Sequence, residues 1–258
     1  MLAALLAMPV SVGLLIWFLR MKKDDPFPKY TFVKLLIAGA IAGILSAIVT
    51  FAGAVINLLM QMSPEQIKLL TNTEGILQVV QQISQTPKTV TPDTLLLGFI
   101  RTFILIGFVE EFFKFMCAKV VMRKEGVVRT WKDALLCFAV TAVSFQLIED
   151  IGYASGNIII AVFRALTPFH FTFAVAMGYF YGLGKIKENR LYSALGIIAP
   201  AFIHTLYDFS LNLVKLDDNF VFLALLMNAV MFILTVFTIL KLRKSHKNKD
   251  LDIPIRSV

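Results

Sequence analysis

The chain has 258 residues, of which 58% are hydrophobic and 16% are charged, and its net charge is +8. The apolar residues gather into runs of about 20, the length that spans roughly 30 Å of hydrocarbon, which excludes a soluble domain and predicts an all-α, polytopic membrane helix bundle. The positive charge does not indicate a nucleic-acid partner, because the basic residues lie in short segments beside those runs.

In chain order, the apolar runs predict about seven transmembrane helices, at residues 2–19, 33–61, 95–121, 133–153, 167–184, 192–214 and 220–241. The first run is apolar from Met1 and has no basic segment before it, so we interpret it as a first span and not as a cleaved signal peptide. We interpret residues 1–241 as a single transmembrane domain and residues 242–258 as a cytoplasmic tail, of which residues 245–258 are expected to be solvated and disordered.

The basic residues predict how this bundle is oriented in the cell membrane. They gather at every second connection, in the segments 20–34, 123–132, 185–190 and 241–249. Because Lys and Arg are retained in the cytoplasm, this alternation places the N-terminus outside and the C-terminus in the cytoplasm.

Small residues and one outer loop predict features of the packing. Gly39 and Gly43 in the second predicted helix form a small-xxx-small face, which allows close approach of another helix or gives flexibility within the lipid. Gly178 and Gly182 also predict close helix approach. The outer loop 62–94 has apolar residues near helical spacing, which predicts a short amphipathic helix on the membrane surface. We favour packing on the bundle over a role as a substrate platform or lid.

Four of the predicted helices carry polar side chains that interrupt an apolar stretch. These side chains are Glu110, Glu111 and Lys114 in the third helix, Gln146, Glu149, Asp150 and Tyr153 in the fourth, His170 in the fifth, and His204 and Asp208 in the sixth. An ionised side chain at the bilayer centre costs about 2.5–3.5 kcal/mol on insertion scales. Several such groups are tolerated only if they face one another, so we expect a shared, water-filled cavity that opens outward.

Helical spacing supports this convergence. Glu110 and Lys114 are four residues apart with the glutamate first, which is the favourable order for an ion pair. His204 and Asp208 have the same spacing and can point into one cleft. Each polar group also has a separate structural explanation, such as an ion pair or, for Tyr153, a position at the membrane interface. If all of these explanations held at once, the protein would bear the summed free-energy cost of burying the groups without gaining a function.

Two glutamates and two histidines suit three kinds of chemistry. A buried carboxylate takes a proton from water while a histidine polarises or protonates the other side of an amide. Glu and His also bind zinc, but the sequence lacks HExxH, so we expect no metal and no other cofactor. Membrane carboxylates and histidines relay protons in transporters. These residue types leave an intramembrane hydrolase and a proton-coupled transporter open, with a non-catalytic scaffold as a third class.

Four motifs together resemble the PrsW family of intramembrane proteases: EEFFK (110–114), EDIGY (149–153), RALTPFHFTFAVAMGYFYG (164–182) and HTLYD (204–208). This family is distantly related to the CaaX-processing and bacteriocin-processing glutamic proteases. The resemblance implies that residues 1–241 form a protease domain that makes the site-1 cut in a membrane-spanning anti-sigma factor, on its extracytoplasmic side. The expected partners are this substrate and the lipid bilayer, and a proton-coupled transporter is the alternative.

Carried over by position, the resemblance implies four catalytic and four supporting residues. The catalytic set is Glu110, Glu111, His170 and His204, and the supporting set is Lys114, Glu149, Tyr153 and Asp208. The general base is one of the two glutamates: pairing of Glu110 with Lys114 would free Glu111, whereas the related proteases favour Glu110. Asp150 departs from the asparagine expected at its position, and an extra acid there could bind a cation.

Overall fold

The structure, a computed structural model, describes residues 9–85, 91–153, 162 and 168–255. Within these ranges the chain is helical, apart from turns and an isolated antiparallel bridge between Thr130 and Pro254, which confirms the predicted all-α fold. The helices are α1 (Pro9–Arg20), α2 (Lys29–Gln61), α3 (Pro64–Leu69), α4 (Thr73–Gln85), α5 (Pro92–Thr102), α6 (Phe108–Glu125), α7 (Trp131–Tyr153), α8 (Phe169–Ile186), α9 (Arg190–Val214) and α10 (Val221–Lys247). Residues 2–8 of the first predicted span lie outside the described ranges.

Four helices among the described residues are long and apolar enough to cross a membrane. They are Lys29–Gln61, Trp131–Ile151, Arg190–Val214 and Asp218–Lys247, the last including a 3₁₀ turn before α10. Two other helices, α6 and α8, carry Glu110, Glu111, Lys114 and His170, whose polarity lowers the mean hydropathy of the segments that contain them. The count of seven spans and the orientation of the termini stay predictions.

Helix α7 lies at the centre of the bundle. Most of its span is buried by the surrounding helices, whereas most of α10 is exposed on the surface of the bundle. The partner of the predicted small-residue face is α7, because a Cβ atom on Gly39 would lie 2.1 Å from the carbonyl oxygen of Thr141, and one on Gly43 would touch Ile148. The small residues therefore allow α2 to pack closely against the central helix.

The third predicted helix, 95–121, is interrupted where it approaches the polar residues. A π-turn at Phe103–Gly107 joins α5 to α6, and Glu110 lies in the first turn after it. Thr50 of α2 donates a hydrogen bond of 2.7 Å to the carbonyl oxygen of Leu105 within the π-turn. π-Turns are often found at functional sites, because the extra residue changes the direction of the side chains that follow.

The described part of the predicted outer loop 62–94 contains the helices α3 and α4. Ser63 caps α3 by accepting a hydrogen bond of 3.2 Å from the backbone N–H of Gln66, and the Gln66 side chain reaches back to the Ser63 N–H. Helix α4 packs against α3, and its Leu77 side chain is exposed. The predicted helix in this loop is therefore present, and its role stays a prediction.

The expectation of a disordered tail is wrong for its described part. Helix α10 continues to Lys247, and the segment after it pairs with the connection before α7: the Trp131 N–H donates to the carbonyl of Ile253, and the Ile255 N–H donates to that of Arg129. Leu251 and Ile255 are buried. These apolar side chains lie among charged neighbours, so the polar composition of the tail concealed its attachment to the bundle.

Candidate active site

The structure brings seven of the expected polar side chains together across four helices. The first turns of α6 supply Glu110, Glu111 and Lys114, the last turns of α7 supply Glu149, the first turn of α8 supplies His170, and the middle of α9 supplies His204 and Asp208. The expected convergence is therefore confirmed for these residues. Tyr153 ends α7, and its side chain lies outside the described part of the structure.

Glu111 is the most tightly held carboxylate of this cluster. It is fully buried, and its Oε1 atom accepts one hydrogen bond of 2.7 Å from the Lys114 ammonium and another of 2.9 Å from Nδ1 of His204. The expected ion pair of Lys114 with Glu110 is present but long, at 4.0 Å between Nζ and Oε2, and the shorter ion pair of Lys114 is the one with Glu111. His204 of α9 donates a hydrogen bond to Glu111. This tertiary contact favours the shorter ion pair of Lys114 with Glu111 over the one with Glu110.

Glu110 is buried but has no comparable partner. Among the described residues its carboxylate accepts no hydrogen bond, and the nearest cationic or imidazole nitrogens are Nε2 of His204 at 3.8 Å and Nζ of Lys114 at 4.0 Å. One oxygen of Glu111 is also unpartnered, although its other oxygen accepts two hydrogen bonds. A buried carboxylate without a partner is costly, which favours a bound water molecule or ion beside Glu110.

His170 is held from both sides of its ring. Nδ1 lies 2.7 Å from Nζ of Lys114, and Nε2 contacts the carboxylate of Glu149. Because an ammonium group can only donate, Nδ1 accepts from Lys114, and Nε2 carries the proton that it donates to Glu149. Lys114 thus links Glu111 to His170.

His204 is oriented by Asp208 and by aromatic rings. Its Nε2 atom lies 3.3 Å from a carboxylate oxygen of Asp208, which confirms the expected i,i+4 pair. The rings of Phe169 and Phe173 lie 5.6 and 5.5 Å from the His204 ring, measured between centroids. With Nδ1 bound to Glu111, the Nε2 edge of His204 faces Glu110 and Asp208.

Asp208 and Glu149 are partly exposed, and we interpret them as the opening of the cluster. The side chains of Asp208 and Glu149 are 23% and 16% exposed, whereas those of Lys114, His170 and His204 are 3% or less. On this interpretation, a substrate that reaches the buried glutamates and histidines passes Asp208 and Glu149. The predicted outward direction of this opening stays a prediction.

Three polar residues that lie near the cluster form a separate chain of hydrogen bonds. Ser11 of α1 donates 3.0 Å to Gln146, whose amide donates 3.4 Å to the buried carboxylate of Asp150. The sequence reasoning missed Ser11, because a lone serine in an apolar helix has no distinctive pattern. It also missed Phe145, whose ring lies 4.1 Å below Nζ of Lys114 and packs against His170.

Three side chains of the cluster have the chemistry of a metal site. Glu110, His170 and His204 each offer one ligand atom, and these atoms lie within 4.8 Å of one another. Two imidazoles and one glutamate form a donor set found in catalytic zinc sites, and the unpartnered Glu110 oxygen fits that use. His170 would have to exchange its contact with Lys114 or Glu149 for the ion.

Comparison with known proteins agrees with this geometry. The model of the PrsW family, described as intramembrane metalloproteases, matches residues 28–238. The chain is 28% identical to "Protease PrsW" of Shouchella clausii over 57% of its own length and 68% of that protein, and 28% identical to "Protease PrsW" of Oceanobacillus iheyensis over 58% and 69%. It is 31% identical to "Protease PrsW" of Halalkalibacterium halodurans over 42% and 53%. No solved structure matches the chain.

Buried acids and histidines on separate apolar helices, together with these relatives, define a multi-pass membrane protein that is an intramembrane protease. The chain belongs to the PrsW family, as its motifs indicate. This result decides between the hydrolase and the transporter that the residue types alone left open.

Proposed function

We propose that this protease makes the site-1 cut in a membrane-spanning anti-sigma factor, on the extracytoplasmic side of the membrane. The family resemblance implies this substrate, and the family match supports a protease that acts on membrane substrates. The observation that carries the proposed chemistry is the buried Glu110 carboxylate, which has no hydrogen-bond partner among the described residues and lies 3.8 Å from His204.

Glu110 is the general base of this proposal, and Glu111 is its neighbouring structural anion. The Lys114 ammonium and the His204 imidazole hold Glu111 in place, so Glu111 is the less free of the two to accept a proton. Glu110 takes a proton from water, and the hydroxide oxygen attacks the carbonyl carbon of the scissile peptide bond. The same proton then goes to the leaving amine as the C–N bond breaks.

The two histidines position the reacting groups. His170, fixed between Lys114 and Glu149, lies beside the water. Because Nδ1 donates to Glu111, His204 stabilises the oxyanion of the tetrahedral intermediate as an imidazolium, whose Nε2–H, oriented by Asp208, donates to that oxygen. The substrate enters from the side where Asp208 and Glu149 are exposed.

The family description implies a metal ion, and the donors that would hold it are Glu110, His170 and His204. Bound there, the ion would act as a Lewis acid on water or on the carbonyl oxygen. The expectation of a metal-free site stays a prediction. Assay of the purified enzyme with and without a chelator tests it: unchanged cleavage supports the metal-free site, and loss that zinc restores contradicts it.

Co-expression with a tagged anti-sigma factor tests the proposed function. The substitutions Glu110→Ala, Glu111→Ala and His204→Ala should each abolish the site-1 fragment while the protein accumulates in the membrane. Glu74→Ala, which alters a glutamate of the outer helix α4, is the matched control and should cleave normally. Cleavage at the wild-type rate by all three site variants would refute the proposal.

A further inference from the structure

A second site lies at the opposite end of the bundle from the polar cluster. A cavity of about 450 Å³ opens between the middle of α8, the last turns of α10 and the first turns of α7. Its volume is within the range of about 300–1,000 Å³ that small-molecule sites occupy. Several residues that line it, including Lys241 and Leu251, lie beyond the part of the chain that the family model matches.

The start of α8 packs against the middle of α10, and the cavity lies between later residues of the two helices. Near the polar cluster, Thr172 and Thr235 share a hydrogen bond of 2.9 Å, and Phe173 packs in one cluster with Met231. At the other end, the side chains of Tyr179 and Phe237, which line the cavity, are 43% and 62% exposed. An apolar wall at membrane depth is filled more favourably by hydrocarbon than by water.

The rim of the cavity carries both signs of charge. Lys241, near the end of α10, is exposed at one position on the rim. The docked tail brings Asp250 to the rim, because the Lys132 N–H binds the carbonyl of Leu251, and Leu251 is buried beside it. Neither Lys241 nor Asp250 forms an ion pair with another of the described residues.

Trp131 marks the depth of the cavity. Its indole N–H donates 3.0 Å to the carbonyl oxygen of Tyr179, and its ring packs against the Tyr179 ring at 4.8 Å between centroids. Tryptophan and tyrosine are enriched where lipid headgroups meet hydrocarbon, because each has an apolar ring and a polar group. The rim charges therefore lie at headgroup level, with the apolar wall toward the acyl chains.

We propose that this cavity binds one phosphatidylethanolamine molecule from the surrounding leaflet. One acyl chain lies along the apolar wall, Lys241 binds the phosphate, and Asp250 accepts hydrogen bonds from the primary ammonium group. Charge complementarity selects this headgroup: Lys241 would bind the phosphate of phosphatidylglycerol equally, but that lipid has no ammonium group to pair with Asp250, and the quaternary ammonium of phosphatidylcholine has no N–H to donate.

The test uses the purified full-length protein in nanodiscs that contain equal amounts of phosphatidylethanolamine, phosphatidylcholine and phosphatidylglycerol. After transfer to detergent, native mass spectrometry counts the lipids that each protein molecule retains. The wild type should retain phosphatidylethanolamine at least about fivefold over each of the other two, the ratio expected for one additional charge-assisted hydrogen bond.

Variants assign that preference to the rim and to the wall. Asp250→Asn should reduce retained phosphatidylethanolamine to the phosphatidylcholine level, and Thr238→Trp, which fills the cavity, should remove it without changing the rim. Lys244→Ala removes an exposed lysine of the same helix that does not line the cavity, and it should retain lipid as the wild type does. Equal retention of the three lipids by the wild type, a preference for phosphatidylglycerol, or equal losses in Lys244→Ala and Asp250→Asn would overturn the proposal.

Discussion

The two ends of the bundle use charge in opposite ways. At the end that carries the polar cluster, four carboxylates, a lysine and two histidines contact one another across four helices, and most of them are buried. At the basic end, three ion pairs of the described residues have an exposed member: Lys34 with Glu125, Asp25 with Lys22, and Asp252 with Lys132. Buried charges depend on their partners, whereas exposed charges exchange a partner for water at little cost.

The basic end nevertheless contains one buried pair with a structural role. Asp133 caps the first turn of α7 by accepting hydrogen bonds of 2.9 and 2.8 Å from the N–H groups of Arg129 and Thr130. It also binds Lys22 at 2.7 Å. Burial alone would lower the pKa of Lys22, but its hydrogen bonds to Asp133 and Asp25 outweigh that effect and raise it. This pair connects the segment after α1 to the central helix.

The largest expected effect on stability comes from breaking the network at the polar end. Lys114→Met should lower the free energy of unfolding by about 3–5 kcal/mol, because it leaves the buried Glu111 carboxylate without its cation. Lys34→Met at the basic end should change it by about 1 kcal/mol or less, since Lys34 is half exposed. Reversible unfolding in detergent with added denaturant measures both changes.

The double variant sharpens this comparison. If Glu111 and Lys114 are coupled, Lys114→Met should cost less when Glu111→Gln is already present, because no buried charge is then left alone. Equal costs in the two backgrounds would show that the two residues act independently and would contradict the described pairing.

An intermediate effect is expected where helices pack closely near the basic end. A Cβ atom on Gly178 would lie 2.6 Å from the Cα atom of Leu135, so Gly178→Ala should cost about 1–3 kcal/mol through overpacking of α8 against α7. Gly13→Ala in α1 is the matched control, because a Cβ atom there has no neighbour within 4 Å. Thermal unfolding should show a lower midpoint only for Gly178→Ala; equal midpoints for the two variants would contradict the close approach of α7 and α8.

The smallest effect is expected for an exposed charge of the tail. Asp252→Ala removes an ion pair with Lys132 in which Asp252 is half exposed, so it should cost about 0.2–1 kcal/mol. Leu251→Ala removes a buried side chain from the same segment and should cost more, about 2 kcal/mol or above. The Lys132 N–H donates a hydrogen bond to the carbonyl oxygen of Leu251, so hydrogen exchange of this amide reports on the attachment of the tail. Rapid exchange in the wild type would show that the tail is not attached.

The sequence predicted the meeting of the polar residues but not all of their partners. Desolvation cost requires charged groups in apolar helices to face one another, and helical spacing indicates which groups share a face. The choice of Glu111 over Glu110 by Lys114 depends on His204, a residue 93 positions further along the chain. Helical spacing alone favours the pair of Glu110 with Lys114, because it contains no information on the contact between His204 and Glu111.

The remaining differences also arise from tertiary contacts. The π-turn before α6 is accompanied by a hydrogen bond from Thr50 of α2, and the tail is attached by backbone hydrogen bonds to the connection before α7. Backbone pairing of this kind leaves little trace in composition. For Gly39 and Gly43, glycine spacing left close helix approach and flexibility within the lipid open, and the structure shows close approach to α7.

The central claim is that Glu110 is the base of a single buried site, and the most direct test is the cleavage rate of Glu110→Gln. Glutamine keeps the size of the side chain but cannot accept the proton from water. Purified variant and wild type should share the same unfolding midpoint, while cleavage of a tagged anti-sigma factor falls by about 10²–10⁴-fold in the variant. Cleavage by Glu110→Gln at the wild-type rate would contradict the assignment.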